Sequence, residues 1–205
     1  MAPPAAPAPH PIKAELRKKT VAERDAIPAP RRQEIARALS AAIEAMREYR
    51  DAVSFLATMP IGSEWSTTPL LRRAAAAGKK IVLPRISKAP PRCLELFEVP
   101  NLATDLKPGV WNIPEPDPER CRRVELADVD FALVPALLAD ARGYRLGYGA
   151  GYFDGLLAGR AVRPLCVIAL PAQFIVDQVP HEPHDVPVDR VIDETGRVFL
   201  RQETT

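Results

Sequence analysis

AVSFLATMPIGSEWSTTPLLRRAAAAGKKIVLPR, residues 52 to 85, contains two apolar runs separated by a helix-forming segment. Residues 52 to 59 form a short apolar, partly β-branched run bounded by Pro60 and Gly62, which predicts a buried parallel strand. Thr67 or Thr68 can cap a helix running to about Ala77, Pro69 suits its first turn, and Gly78 stands where a helix end favours positive φ. KKIVLPR, residues 79 to 85, reads as the next strand, so the whole is a β-α-β crossover. Upstream, residues 12 to 26 predict a short basic helix ended by Pro28 and Pro30. A second helix over 31 to 49 places Ile35, Leu39, Ala42, Ile43 and Met46 on one face. Downstream, residues 93 to 99 read as a half-exposed strand, and 100 to 109 and 111 to 119 as proline-punctuated surface loops. Residues 129 to 138 and 164 to 171 read as apolar strands, and a hairpin is expected about Glu194 to Gly196. The sum is a single α/β domain with a mostly parallel sheet and helices on both faces. Ligands of such sheets sit beyond the carboxyl ends of the strands.

At 205 residues, 47% hydrophobic and 26% charged, the chain has the composition of one globular domain. A net charge of +2 and 6% aromatic residues give neither a basic field nor a stacking surface for nucleic acid. Cys93, Cys121 and Cys166 are widely spaced, which fits neither a disulfide framework nor a zinc site and suits a reducing cytoplasm. No apolar run approaches the roughly 18 residues that cross a bilayer, so no membrane partner is expected. Residues 1 to 11, MAPPAAPAPHP, form a Pro/Ala tail expected to be disordered or extended, leaving 12 to 205 as the domain.

Chemistry concentrates in RLGYGAGYFD, residues 145 to 154. Gly147, Gly149 and Gly151 remove Cβ from alternate positions, so the backbone can adopt positive φ and bring N–H groups to an anion, with a following helix N-terminus facing it. Glycine turns of this kind also serve close packing alone, and neither G-x-G-x-x-G nor Gly-Lys-Ser/Thr is present. Arg145 and Asp154 flank the glycines, supplying a phosphate fork and a Mg²⁺ ligand. Lys13 and Arg17 lie four apart on one helix face, as either an anion contact or a solvated basic face. Asp154, Asp185 and Asp189 are the candidate ligands of a hard cation, and His181 and His184 lack the cysteine partners of a zinc site. Glu64 follows the first strand towards the ligand edge, and Trp111 offers a flat apolar wall. Absence of G-x-S-x-G gives serine-hydrolase chemistry no support.

In order along the chain, KAELRKK (13 to 19), RDAIP (24 to 28), PIGSE (60 to 64), GKKIVLPR (78 to 85), WNIPEP (111 to 116), RLGYGAGYFD (145 to 154) and HDVPVD (184 to 189) resemble the 5-formyltetrahydrofolate cyclo-ligases, also called methenyltetrahydrofolate synthetases. The resemblance implies an ATP- and Mg²⁺-dependent enzyme converting 5-formyltetrahydrofolate to 5,10-methenyltetrahydrofolate. It implies that ATP is contacted by Lys13, Ala14, Glu15, Leu16 and Arg17, and by Arg145 with Leu146, Gly147, Tyr148, Gly149, Ala150, Gly151, Tyr152 and Phe153. Arg145 is the implied catalytic group, holding the transferring phosphoryl with the glycine amides. Folate is implied at Met59, Glu64, Trp111 and the backbone of 148 to 152, and Mg²⁺ at Asp154 and Asp185. A monomer or weak homodimer is expected. Ala150, Phe153 and Gly155 depart from frequent family residues, leaving Arg145, Lys13 and Arg17 to carry the phosphate charge. A non-catalytic folate- or nucleotide-binding relative, and an ATP-dependent phosphotransferase on another substrate, are the competing readings.

Overall fold

The computed structural model describes residues 11 to 201 apart from 88 and 90 to 92; of the tail expected over residues 1 to 11, Pro11 instead begins the first helix and the rest lies outside the described residues. In chain order the elements are α1 (Pro11–Asp25), α2 (Ala29–Ala45), α3 (Arg47–Asp51), β1 (Ser54–Leu56), α4 (Thr68–Ala76), β2 (Lys80–Ile86) and β3 (Leu94–Glu98). There follow β4 (Leu106–Pro108), β5 (Pro114–Pro116), β6 (Arg122–Val124), β7 (Phe131–Leu133), β8 (Leu138–Asp140), β9 (Arg145–Leu146) and α5 (Tyr152–Leu157). The chain finishes with β10 (Leu165–Ala169), β11 (Ile175–Val176), β12 (Arg190–Ile192) and β13 (Val198–Leu200).

An eight-stranded sheet has the order β13-β12-β10-β7-β1-β2-β3-β6. Its centre, from β12 to β2, is parallel, and antiparallel strands close both edges. Neighbouring residues along the central strands enter different cores, as side chains must in a strand buried on both faces. Phe55, Ile81, Leu83, Phe131 and Val167 meet α2 and α4, whereas Leu56, Val82, Ala132 and Ile168 meet α5 and Phe174. Helices therefore cover both faces, and the β1-α4-β2 crossover stands as the spacing predicts. Gly78 has φ +84°, but the Thr67 hydroxyl donates to the Thr58 carbonyl (2.7 Å) instead of capping α4.

Four expectations change. The helix over 31 to 49 breaks at Met46, whose extended backbone (ψ 131°) turns α3 so that Tyr49 packs edge-on against Phe55 and Phe131 at 5.2 and 5.4 Å. The run 129 to 138 is two strands, because Pro135, which has no N–H for a ladder, separates β7 from β8. β8 belongs instead to a three-stranded sheet, β11-β8-β9. Its hairpin turns at Gly143 (φ +87°), where a Cβ would meet the Val188 carbonyl oxygen at 2.3 Å. The proline segments are not simple surface loops: β4 and β5 pair, Glu115 and Pro116 are buried, and buried Arg85 donates to the Pro116 carbonyl at 2.8 Å. Finally, α5 spans only six residues, which weakens the helix-dipole contribution expected beside the glycines.

Candidate active site

A cavity of about 600 Å³ opens between α1, the glycine loop, the β4–β5 hairpin and the 182 to 185 loop. That volume is in the range of small-molecule sites. α1 turns Lys13 and Arg17 towards it. Lys13, Arg17, Thr20 and Arg24 recur with the spacing of one helix face, and Lys13 and Thr20 are buried. The helix is thus fastened by charge as much as by apolar contact. Lys13 Nζ donates to Glu182 Oε2 (2.8 Å) and Asp185 Oδ2 (2.7 Å), Arg17 Nε to the Gly147 carbonyl (2.8 Å), and Arg24 Nη2 to the Tyr148 hydroxyl (2.8 Å). Ala14 and Glu15 point to solvent, and Leu16 packs on the core, so those three side chains do not line the cavity.

All of Arg145 to Asp154 does line it. Gly149 (φ +102°) and Gly151 (φ +67°) adopt the conformation for which glycine is suited; Gly147 does not. At Gly149 a Cβ would also come within 3.1 Å of Arg17 Cζ, so the missing side chain lets the guanidinium lie across the loop. Ala150 keeps negative φ and tolerates its Cβ. Arg145 and Asp154 face each other: Arg145 Nη2 donates to Asp154 Oδ1 (2.8 Å) and Nη1 to the Val186 carbonyl (2.6 Å), while the Val186 N–H also donates to Asp154 Oδ1 (2.9 Å). The Arg145 side chain is only 6% exposed, so its direction is set before any ligand arrives.

Met59, Glu64 and Trp111 line the same cavity. Trp111 is 66% exposed at φ +56°, on a loop rim rather than in a wall. Glu64 is the most constrained of the three. Its Oε2 accepts the Ile61 N–H at 2.9 Å, whereas Oε1 is buried and lacks a hydrogen bond of normal geometry. Burial raises the Glu64 pKa, opposed by the Ile61 N–H and by Arg24, whose Nη1 lies 3.9 Å from Oε1. Glu64 thus brings to the cavity lining a carboxylate whose Oε1 has hydrogen-bonding capacity to spare.

Around Asp185 the charges are coupled. Its burial favours the neutral acid, but hydrogen bonds from Lys13 and the Glu182 N–H outweigh this and hold its pKa below the ordinary value. Burial likewise opposes the Lys13 charge, yet its two carboxylate partners keep its pKa raised. Glu182, His184 and Asp185 place ligand atoms within 4.8 Å of one another, and the two carboxylates hold the Lys13 ammonium. Among the described residues Asp154 Oδ2 and Asp185 Oδ1 accept no hydrogen bond, so each aspartate retains a hard oxygen that suits Mg²⁺ alongside phosphate and water.

Asp189, weighed as a third ligand, is engaged elsewhere, in a two-bond pair with Arg163 (2.9 and 2.5 Å) and accepting the Cys166 N–H. His181 stacks on Tyr144 with ring centroids 3.8 Å apart and does not line the cavity. Sequence reasoning missed Arg24, Glu115 and Glu182. Arg24 carries a signal, since it continues the Lys13–Arg17 face; Glu182 sits in a loop without periodicity.

All three cysteines are free, and no helix among the described residues is long and apolar enough to cross a membrane. The model of the 5-formyltetrahydrofolate cyclo-ligase family matches residues 9 to 194. A 5-formyltetrahydrofolate cyclo-ligase of Mycolicibacterium smegmatis is 29% identical over 195 residues, covering 92% of this chain and 97% of the relative. The Saccharomyces cerevisiae cyclo-ligase is 30% identical over 110 residues, half of each chain. The NMR structure of Aquifex aeolicus 5,10-methenyltetrahydrofolate synthetase has TM-score 0.82 and 28% identity, covering 95% of both chains. The 5,10-methenyltetrahydrofolate synthetase of Mycoplasma pneumoniae, at 15% identity and TM-score 0.69, shares the fold. With the motifs of α1, the glycine loop and the 182 to 189 segment meeting at one cavity, and a match over nearly its whole length, the chain belongs to the 5-formyltetrahydrofolate cyclo-ligase family.

Proposed function

We propose that this chain catalyses the ATP- and Mg²⁺-dependent conversion of 5-formyltetrahydrofolate to 5,10-methenyltetrahydrofolate, releasing ADP and phosphate. The observation that carries the proposal is the junction, in one cavity, of a cation-bearing helix face and a glycine loop with the carboxylate of Glu64. The first two suit a triphosphate. The third suits the N–H groups of a pterin ring.

The chemistry follows from the leaving group. A formamide oxygen does not depart unaided, so the γ-phosphoryl is transferred to it; N10 then attacks the formyl carbon and loses its proton, and the C–O bond breaks with phosphate as the leaving group. Phosphoryl transfer depends on positioning and charge neutralisation rather than covalent catalysis. Arg145 is pre-aimed by Asp154 and the Val186 carbonyl, so it meets the transferring phosphoryl without reorganising. Arg17 lies across Gly149 and meets the same anion from the α1 side. Lys13 can exchange its carboxylate partners for phosphate oxygens, while Glu64 fixes the pterin and Met59 packs beside it. Asp154 and Asp185 would hold Mg²⁺, which neutralises triphosphate charge when bound.

The test is the methenyl absorbance formed from protein, ATP, Mg²⁺ and 5-formyltetrahydrofolate. ATP-dependent growth of that band with one ADP per product supports the proposal. Its absence, with folate and nucleotide still binding, favours a non-catalytic relative. A thermal response to ATP and Mg²⁺ with none to folates favours a phosphotransferase on another substrate.

A further inference from the structure

Arg24 joins three separate parts of the chain. Its Nε donates to Ser63 Oγ (2.9 Å), its Nη2 to the Tyr148 hydroxyl (2.8 Å), and its Nη1 faces Glu64 Oε1 at 3.9 Å. Ser63 in turn donates to Asp25, the next residue of α1, which fixes the contact from both sides. The side chains of Arg24 and Glu64 are each 11% exposed, so water screens them little. With Glu64, Arg24 lines a second, small cavity of about 50 Å³, and Glu64 lines the main one as well.

We propose that Arg24 is a positioning and specificity-determining residue for the folate end, keeping Glu64 an aimed anion and fastening Tyr148 of the glycine loop beside it. The inference rests on the reading of Glu64 as the pterin acceptor. One guanidinium then sets the placement of both the phosphate-handling loop and the pterin-handling carboxylate.

The groups around Glu64 allow this assignment. From α1 comes Arg24, from the glycine loop the Tyr148 hydroxyl, from its own loop the Ile61 N–H, and from α2 Arg32, which lines the small cavity. Trp65 Nε1 is committed to the Ala169 carbonyl at 3.0 Å. Tyr148 accepts from Arg24, which leaves its own hydrogen free to turn towards Glu64, and Arg32 donates weakly to the Asp25 carbonyl (3.5 Å). Arg24 is thus the cation in ion-pair range of Glu64 among the described residues. Burial pushes Glu64 towards the neutral acid, and Arg24 opposes it. A protonated Glu64 would present a donor to pterin N–H groups and repel them.

The experiment compares wild type, Arg24→Gln, Arg24→Lys and Tyr148→Phe in steady-state kinetics from pH 6 to 8.5, after circular dichroism confirms folding. Arg24→Gln is expected to raise the folate KM on the order of tenfold at pH 6, and less at pH 8, because an opposite charge at this range governs ionisation. Arg24→Lys is expected to restore the wild-type pH dependence while leaving a raised folate KM, since an ammonium supplies the charge without the guanidinium fork. Tyr148→Phe is expected to raise both KM values and to move the folate pH profile in the same direction as Arg24→Gln, since its hydroxyl also favours the Glu64 anion. A wild type that does not turn over 5-formyltetrahydrofolate defeats the proposed function itself. A wild type that turns over, with an Arg24→Gln profile superimposable on it, overturns the role of Arg24 alone. If Arg24→Gln does not fold, Arg24→Lys decides: kinetics matching wild type throughout overturn the role.

Discussion

Replacing Lys13 by methionine removes the ammonium shared by Glu182 and Asp185 while leaving the methylene stem in place. The lysine side chain is 8% exposed and Asp185 16%, but Glu182 is 40% exposed, so the pair lies between a surface ion pair and a buried one. Exposed pairs contribute at most about 1 kcal/mol and broken buried pairs cost about 3–5 kcal/mol; with solvent screening on the cavity side, Lys13→Met is expected to cost about 1–2 kcal/mol. Equilibrium urea unfolding would register this as a midpoint lowered by about 0.5–1 M. The loss has a definite pH window. Asp185 and Glu182 have lowered pKa values, so their contribution is present above their unfolded values and is lost as pH falls through the folded ones. Lys13 has a raised pKa, so its contribution is present below 10.5 and lost as pH rises through the folded value. Wild type and variant should therefore differ most near neutrality and converge in acid. The nucleotide KM should rise about 10–100-fold, the equivalent of one charged hydrogen bond to phosphate. An unchanged urea midpoint at pH 7 together with an unchanged nucleotide KM would refute the account of α1 as a helix docked by charge.

Gly149→Ala places a Cβ at φ +102° and against Arg17; it should lower kcat/KM for ATP by more than about tenfold and destabilise by about 1–2 kcal/mol, whereas Gly147→Ala should melt like wild type. Equal melting temperatures and rates for the two variants would remove the steric argument. Gly109→Ala drives a Cβ into the Glu115 side chain and should cost about 1–3 kcal/mol by differential scanning calorimetry; adding Glu115→Ala should recover part of that, and no recovery would show the clash is not the cause. Glu64→Gln leaves the part-buried Arg24 guanidinium without its carboxylate, so thermal stability should fall while the folate KM rises more than the ATP KM. Parallel increases in both constants would contradict a pterin-specific role.

What the chain discloses locally, it discloses well. The β1-α4-β2 crossover was legible because Pro69, Gly78 and two apolar runs act within a few residues of where they stand. The glycine loop was legible for the same reason, and its flanking Arg145 and Asp154 do line the cavity. Partnership across the chain was not. That Arg145 and Asp154 bind each other, and that Lys13 reaches residues 182 and 185, depends on the folded path of the backbone between them. Interruptions were also hidden: Met46 breaks a helix whose apolar period continues, because packing of Tyr49 on Phe55 overrides local propensity. The proline segment 106 to 116 reads as loop by composition, yet it pairs with itself and buries Glu115 and Pro116. Arg24 alone among the missed residues had a local signal, the helical face it shares with Lys13 and Arg17.

The central claim is that one cavity beneath α1 brings a nucleotide and a reduced folate together. A crystal structure with a non-hydrolysable ATP analogue, Mg²⁺ and 5-formyltetrahydrofolate tests it most directly. The triphosphate is expected among Lys13, Arg17, Arg145 and the glycine loop, the pterin on Glu64, and the formyl oxygen facing the γ-phosphorus. Either ligand bound away from this cavity would contradict it.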